Sequence, residues 1–219
     1  MASNSRAAAG LALTCLLGLL ITGLYFLKTA AGHHLDAEIL ASLVSMNTSD
    51  ARPWLQGLIR VTDPPFFLVV GAALAATAAG RGQWRVVAAI GVLLVAGTAS
   101  AEVIKAVIGP THSPDILDGR EALWPSAHAV AAVTLALSAV IVTRGAARLL
   151  VGVLGVVFAT AVGYALLITG AHRPSDLFAA VLLSGLWLGA TTVGLAYWQR
   201  RSRATRVSRS GGLLGRPAA

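Results

Sequence analysis

The chain has 219 residues, 56% of them hydrophobic and only 12% charged, with a formal net charge of +8 and a sequence pI near 11.0. So small a share of charge excludes a soluble domain of this size. The basic excess lies in loops and in the C-terminal tail, so binding to nucleic acid is not expected.

Six apolar stretches follow one another, at residues 9–27, 65–79, 86–104, 127–142, 149–169 and 177–198. Crossing a bilayer takes about 20 apolar residues, and in lipid a segment must close its own backbone hydrogen bonds, so each stretch is expected to be a helix. The first reads as a retained anchor rather than a cleaved signal, because its apolar run exceeds a signal core. Cys15 within it is the sole cysteine, which excludes an internal disulfide; a buried small hydrophobe is its expected role. Between the first two stretches lies a more polar connection, in which residues 38–44 and 53–59 read as amphipathic and interfacial. His33 and His34 there have no evident third ligand and read as solvated. Pro64 and Pro65 open the second span where missing N–H groups cost least, and its short run suggests a start nearer Asp63.

Basic residues set the orientation. With the N-terminus inside, eleven of the 17 lysines and arginines fall on the cytoplasmic side and six (Lys28, Arg52, Arg60, Lys105, Arg120 and Arg173) on the other. The expectation is therefore an all-α, polytopic membrane bundle of about six transmembrane helices, N-in and C-in. Residues 1–198 are expected to form one membrane domain, and 199–219 a basic, solvated and disordered cytoplasmic tail.

Three polar clusters interrupt the apolar chain, all at span mouths on the outward side. In the third, His172 and Asp176 stand four residues apart at a helix start, where they share a face. A carboxylate against an imidazole fixes its tautomer and steadies the charge that develops when the other nitrogen attacks. The plainer alternative is a helix entry capped by Ser175 or Asp176. In the second cluster, Pro125-Ser126-Ala127-His128, the serine can cap a helix whose free N–H groups attract an anion, and the histidine can donate a proton. The first holds Lys105, one turn after Glu102, either a snorkelling lysine in an ion pair or a cation for phosphoryl oxygens.

In this order and on these helix mouths, the clusters resemble the phosphatidic acid phosphatase type 2 superfamily. Its pattern is a lysine followed by Arg-Pro, then Pro-Ser-Gly-His, then Ser-Arg with a downstream His-x-x-x-Asp. The resemblance implies that His172 attacks phosphorus to form a phosphohistidine, that Asp176 orients it, and that His128 protonates the leaving group. It further implies that Lys105, Ser126 and the backbone at Ala127 hold phosphoryl oxygens, with no metal and no other cofactor. The chain departs from the pattern in three places. Arg-Pro is absent after Lys105, where His112, Ser113 and Pro114 stand; the motif glycine is Ala127; and Ser-Arg falls on Ala165 and Leu166. His112, Arg120 and Arg173 are the substitutes the sequence offers for the two missing arginines.

The function so implied is hydrolysis of a phosphomonoester or diphosphate lipid at the outer leaflet of the cell membrane. Polyprenyl, phosphatidate and envelope-precursor lipids all remain open, as does the oligomeric state. A lipid phosphotransferase of the same fold, or a degenerate lipid-binding member, is the alternative. A transporter is disfavoured because the span interiors carry almost no charge.

Overall fold

The computed structural model describes residues 2–48, 51–109 and 124–213. Among them the architecture is all-helical: α1 (Ala2–Lys28), α2 (Ala30–Val44), α3 (Arg52–Arg60), α4 (Pro64–Gly80), α5 (Trp84–Gly91), α6 (Gly97–Ile108), α7 (Ala127–Val142), α8 (Ala147–Ile168) and α9 (Pro174–Leu213). A π-helical segment, Val92–Ala96, joins α5 to α6 without a break, so the two make one long rod.

Every apolar stretch read from the sequence is a helix, but the number of spans is coarser than six. Four helical rods are long and apolar enough to cross a membrane: 5–28, 84–108, 147–168 and 174–202. A fifth arises if α3 and α4, bent by 49° at their junction, count as one broken span; α7 is apolar but shorter. The amphipathic stretches 38–44 and 53–59 lie within α2 and α3. α9 runs on as helix past Gln199, where composition suggests a solvated tail, to Leu213. The run from Gln199 to Ser210 contains neither proline nor glycine, and Gly211-Gly212 marks its end.

The core lies where α1, α6, α7, α8 and α9 meet, around Leu19, Ala101, Val130, Val162, Leu166 and Leu183. Without a hydrophobic drive between helices in lipid, close approach through small residues and van der Waals contact carries the packing. Gly189 of α9 shows this: a Cβ there would sit 2.6 Å from the Ala8 carbonyl oxygen and 2.8 Å from the Ala12 nitrogen. Gly185, one turn earlier, similarly faces the Cys15 sulfur at 2.7 Å. Cys15 is buried against α9, as a small hydrophobe would be. The side of the bundle that matters for chemistry is where α7 and α9 begin and α8 ends.

Candidate active site

α7 and α9 start side by side. The Ser126 N–H donates to the Asp176 carbonyl oxygen at 3.2 Å, a main-chain link between the two first turns. Ser126 is fully buried, and its hydroxyl caps α7 by accepting the Ala129 N–H at 3.3 Å. Its position two residues before His128 thus sets where that histidine emerges.

At the start of α9, His172 Nδ1 lies 3.0 Å from Asp176 Oδ2, and the Arg173 N–H donates to the same oxygen at 2.9 Å. One oxygen of Asp176 therefore holds both the first turn of α9 and the imidazole. A carboxylate that only accepts calls for a hydrogen on Nδ1, and in the neutral ring Nε2 then keeps its lone pair. The pair is secluded, with side-chain exposures of 12% and 2%.

The His128 ring faces that of His172 at 6.5 Å between centroids. Its Nε2 is 3.2 Å from Asp63 Oδ1, and both side chains are 39% exposed. Asp63 occupies the N-cap position of α4 yet makes no capping bond with its side chain, which turns instead to the histidine.

Both histidines line one open cavity of ≈ 960 Å³. α3 contributes Arg52, Gln56, Ile59 and Arg60 to its lining, while Leu166, Thr169 and Gly170 come from α8 and the turn after it. α3 is held there by Leu58 and Ile59, which pack on the core cluster containing Leu166, while Trp54, one turn before Leu58, is 83% exposed.

A second carboxylate supports the site from behind. Asp36 of α2 is 2% exposed and accepts the Ser175 N–H at 2.9 Å on Oδ1; the Ser175 hydroxyl donates to Oδ2. Burial pushes the Asp36 carboxyl above the ordinary aspartate value, against the opposing pull of the Ser175 hydrogen bonds; the Asp176 charge adds to the rise and the Arg173 charge opposes it.

Several predicted residues stand apart from the cavity. Lys105 Nζ is 2.9 Å from Glu102 Oε1 and does not line it. Arg173 is 5% exposed, turned into the protein towards Asp36, and Ser126 serves as a buried cap. Ala127 is the first residue of α7, beside the histidine turn. His112 and Arg120 lie outside the described residues. The sequence reading missed Asp36, Asp63, Arg52 and Arg60. The spacing of Arg52, Gln56 and Arg60, one helical face at intervals of four, was the available signal for α3; the two aspartates had none.

A histidine backed by aspartate, a second histidine across one cavity and a wall of arginines form a constellation suited to phosphoryl transfer. The family model of the PAP2 superfamily matches residues 87–200, just over half of the chain and inclusive of all three polar clusters. The chain belongs to the PAP2 superfamily. Among solved structures, this PAP2 chain is similar to the crystal structure of the first transmembrane PAP2 type phosphatidylglycerolphosphate phosphatase from Bacillus subtilis. The TM-score is 0.69 at 18% identity, with 87% of this chain and 96% of that one covered. At that identity the likeness speaks for the fold. No curated protein is matched by sequence. Among the described residues of this PAP2 chain, no three His, Cys, Asp or Glu side chains gather as metal ligands.

Proposed function

We propose that the chain is a membrane lipid phosphatase that acts through a phosphohistidine. The observation that carries this reading is the His172–Asp176 pair, held at 3.0 Å with the His128 ring 6.5 Å from His172 across one cavity. Nε2 of His172 attacks phosphorus, the P–O bond to the lipid breaks, and the electron pair leaves with the lipid oxygen. His128 supplies that oxygen with a proton. Water then attacks the phosphohistidine, the P–N bond breaks, and inorganic phosphate departs as His128 takes up the proton released by the water. Asp176 holds the attacking ring and stabilises the charge that grows on it. Of the residues the resemblance assigns to phosphate, Ala127 starts the turn that carries His128, and the N–H groups of that turn left free by the Ser126 cap meet the anion.

The reaction is metal-independent and takes place on the extracytoplasmic side of the plasma membrane. Support for that side comes from the excess of arginine at the opposite loops and the tail, which favours an N-in, C-in chain of six spans, α4 and the shorter α7 included. The substrate is a phosphorylated lipid. Because the solved relative is named a phosphatidylglycerolphosphate phosphatase, phosphatidylglycerophosphate heads the panel, followed by phosphatidate and a polyprenyl diphosphate.

The test is phosphate release by the detergent-purified protein from that panel with EDTA present, alongside His172→Ala. Release that survives chelation and vanishes in the variant is expected. Release that persists in His172→Ala would sink the phosphohistidine route, and release that stops with EDTA would sink metal independence.

A further inference from the structure

The two histidines do not themselves supply the fixed positive charge that a transferring phosphoryl group requires on its peripheral oxygens. Lys105 is paired with Glu102 outside the cavity, and Arg173 is turned into the protein. On the α8 wall, where the resemblance implies an arginine, Leu166 is buried in the core and presents only hydrocarbon to the cavity. Among the described residues, Arg52 and Arg60 of α3, the helix packed beside α8, are the arginines and lysines that line the cavity.

The build of α3 fits that task. Arg52, Gln56 and Arg60 recur every four residues, so they share one face of a helix. Trp54 and Val61 fall on the reverse face, both exposed, as expected of a helix that turns its apolar side to an interface. Neither guanidinium makes an ion pair with a described carboxylate, so both are available to an incoming anion. Arg60 is the nearer to the reacting centre. Its carbonyl accepts the Asp63 N–H at 3.0 Å, and the Asp63 side chain touches His128. Arg52 starts about 12 Å further along the helix axis, at a rise of about 1.5 Å per residue.

We propose that α3 is the phosphate-binding wall of this enzyme. Arg60 grips the reacting phosphoryl group, and Arg52, with the Gln56 amide beside it, holds the anionic part of the substrate that lies further from His172. The cationic function is carried by α3 instead of the neighbouring α8. The proposal rests on the phosphatase reading, and the test separates the two.

Wild type, Arg60→Ala, Arg60→Lys, Arg52→Ala and the control Trp54→Ala are purified in detergent, and their folding is checked by thermal unfolding. Phosphate release from phosphatidylglycerophosphate and phosphatidate is measured, and binding of orthovanadate, a pentavalent phosphate mimic, is measured separately. Arg60→Ala is expected to lower kcat by about 100- to 1000-fold and to weaken orthovanadate binding at least about tenfold, with partial rescue by lysine. Arg52→Ala is expected to raise KM about tenfold while leaving kcat within a few-fold, and Trp54→Ala to change neither. Arginine variants that hydrolyse and bind orthovanadate like wild type would overturn the proposal while leaving the phosphatase intact. If wild type releases no phosphate, the phosphatase reading fails; the α3 wall then stands or falls on whether Arg60→Ala loses orthovanadate. A defect that appears only in vesicles rich in anionic lipid, and not in detergent, would assign the arginines to the membrane surface and overturn the proposal.

Discussion

Replacing Asp176 by asparagine isolates one quantity, the charge behind His172, the proposed nucleophile. Oδ2 accepts from both His172 Nδ1 and the Arg173 N–H, at 3.0 and 2.9 Å. An asparagine carbonyl placed at that corner keeps both bonds and the His172 tautomer. The flipped amide would set an NH2 against a buried N–H, at a cost of about 1–3 kcal/mol, so the unflipped form prevails. What disappears is the attraction between the carboxylate and the positive charge that grows on the ring, about 4 kcal/mol for delocalised charges centred about 4 Å apart at an effective dielectric near 20. At about 1.4 kcal/mol per tenfold in rate, kcat should fall about 100- to 1000-fold with KM little changed. That is less than the roughly 10⁴-fold loss expected when an asparagine inverts the tautomer. Initial rates of phosphate release in detergent micelles measure it, with thermal unfolding to show that the cap survives. A kcat within tenfold of wild type would refute the argument, because the carboxylate charge would then have no part in the chemistry.

Other consequences can be checked with the same protein. His128→Ala should reduce turnover of alkyl phosphates by about 100-fold or more, yet reduce turnover of p-nitrophenyl phosphate far less, since nitrophenolate leaves without a proton; equal losses would remove His128 from the acid role. Asp36→Asn keeps an acceptor for the Ser175 N–H and offers a donor to its hydroxyl. Because burial raises the Asp36 carboxyl, the folded state binds more protons than the unfolded state between the ordinary aspartate value and that raised one, so wild type loses stability as pH rises through this window. The asparagine variant lacks that slope; parallel unfolding curves from pH 4 to 7 would contradict it. Gly189→Ala drives a methyl to 2.6 Å from the Ala8 carbonyl oxygen and should cost about 1–3 kcal/mol, read as a lower Tm; an unchanged Tm would mean that α1 and α9 can part freely.

The helices were legible because apolar length and proline position are local signals: α7 runs from Ala127 to Val142, the limits read from composition, and Pro64 opens α4. His172 and Asp176 were legible for the same reason, since four residues in a helix are one turn. The partners that complete the site come from far along the chain, 65 residues away for Asp63 with His128 and 139 for Asp36 with Ser175. No periodicity announces such pairings; they exist only once helices of different spans are packed. Arg52 and Arg60 fall between these cases. Their common face was readable, whereas the wall that this face closes depends on Leu58 and Ile59 docking against the core around Leu166.

The bond from the Ser126 N–H to the Asp176 carbonyl has a consequence for evolution as well as for mechanics. His128 and His172 sit beside the two turns it joins, so the bond ties the spacing of the two imidazoles when the helices flex with temperature or lipid composition. The clamp consists of peptide atoms alone, which every residue except proline can supply at the donor end. Drift in the side chains around it can therefore proceed without loosening the geometry, and a comparison of sequences would assign no residue to the joint that keeps the two histidines in step.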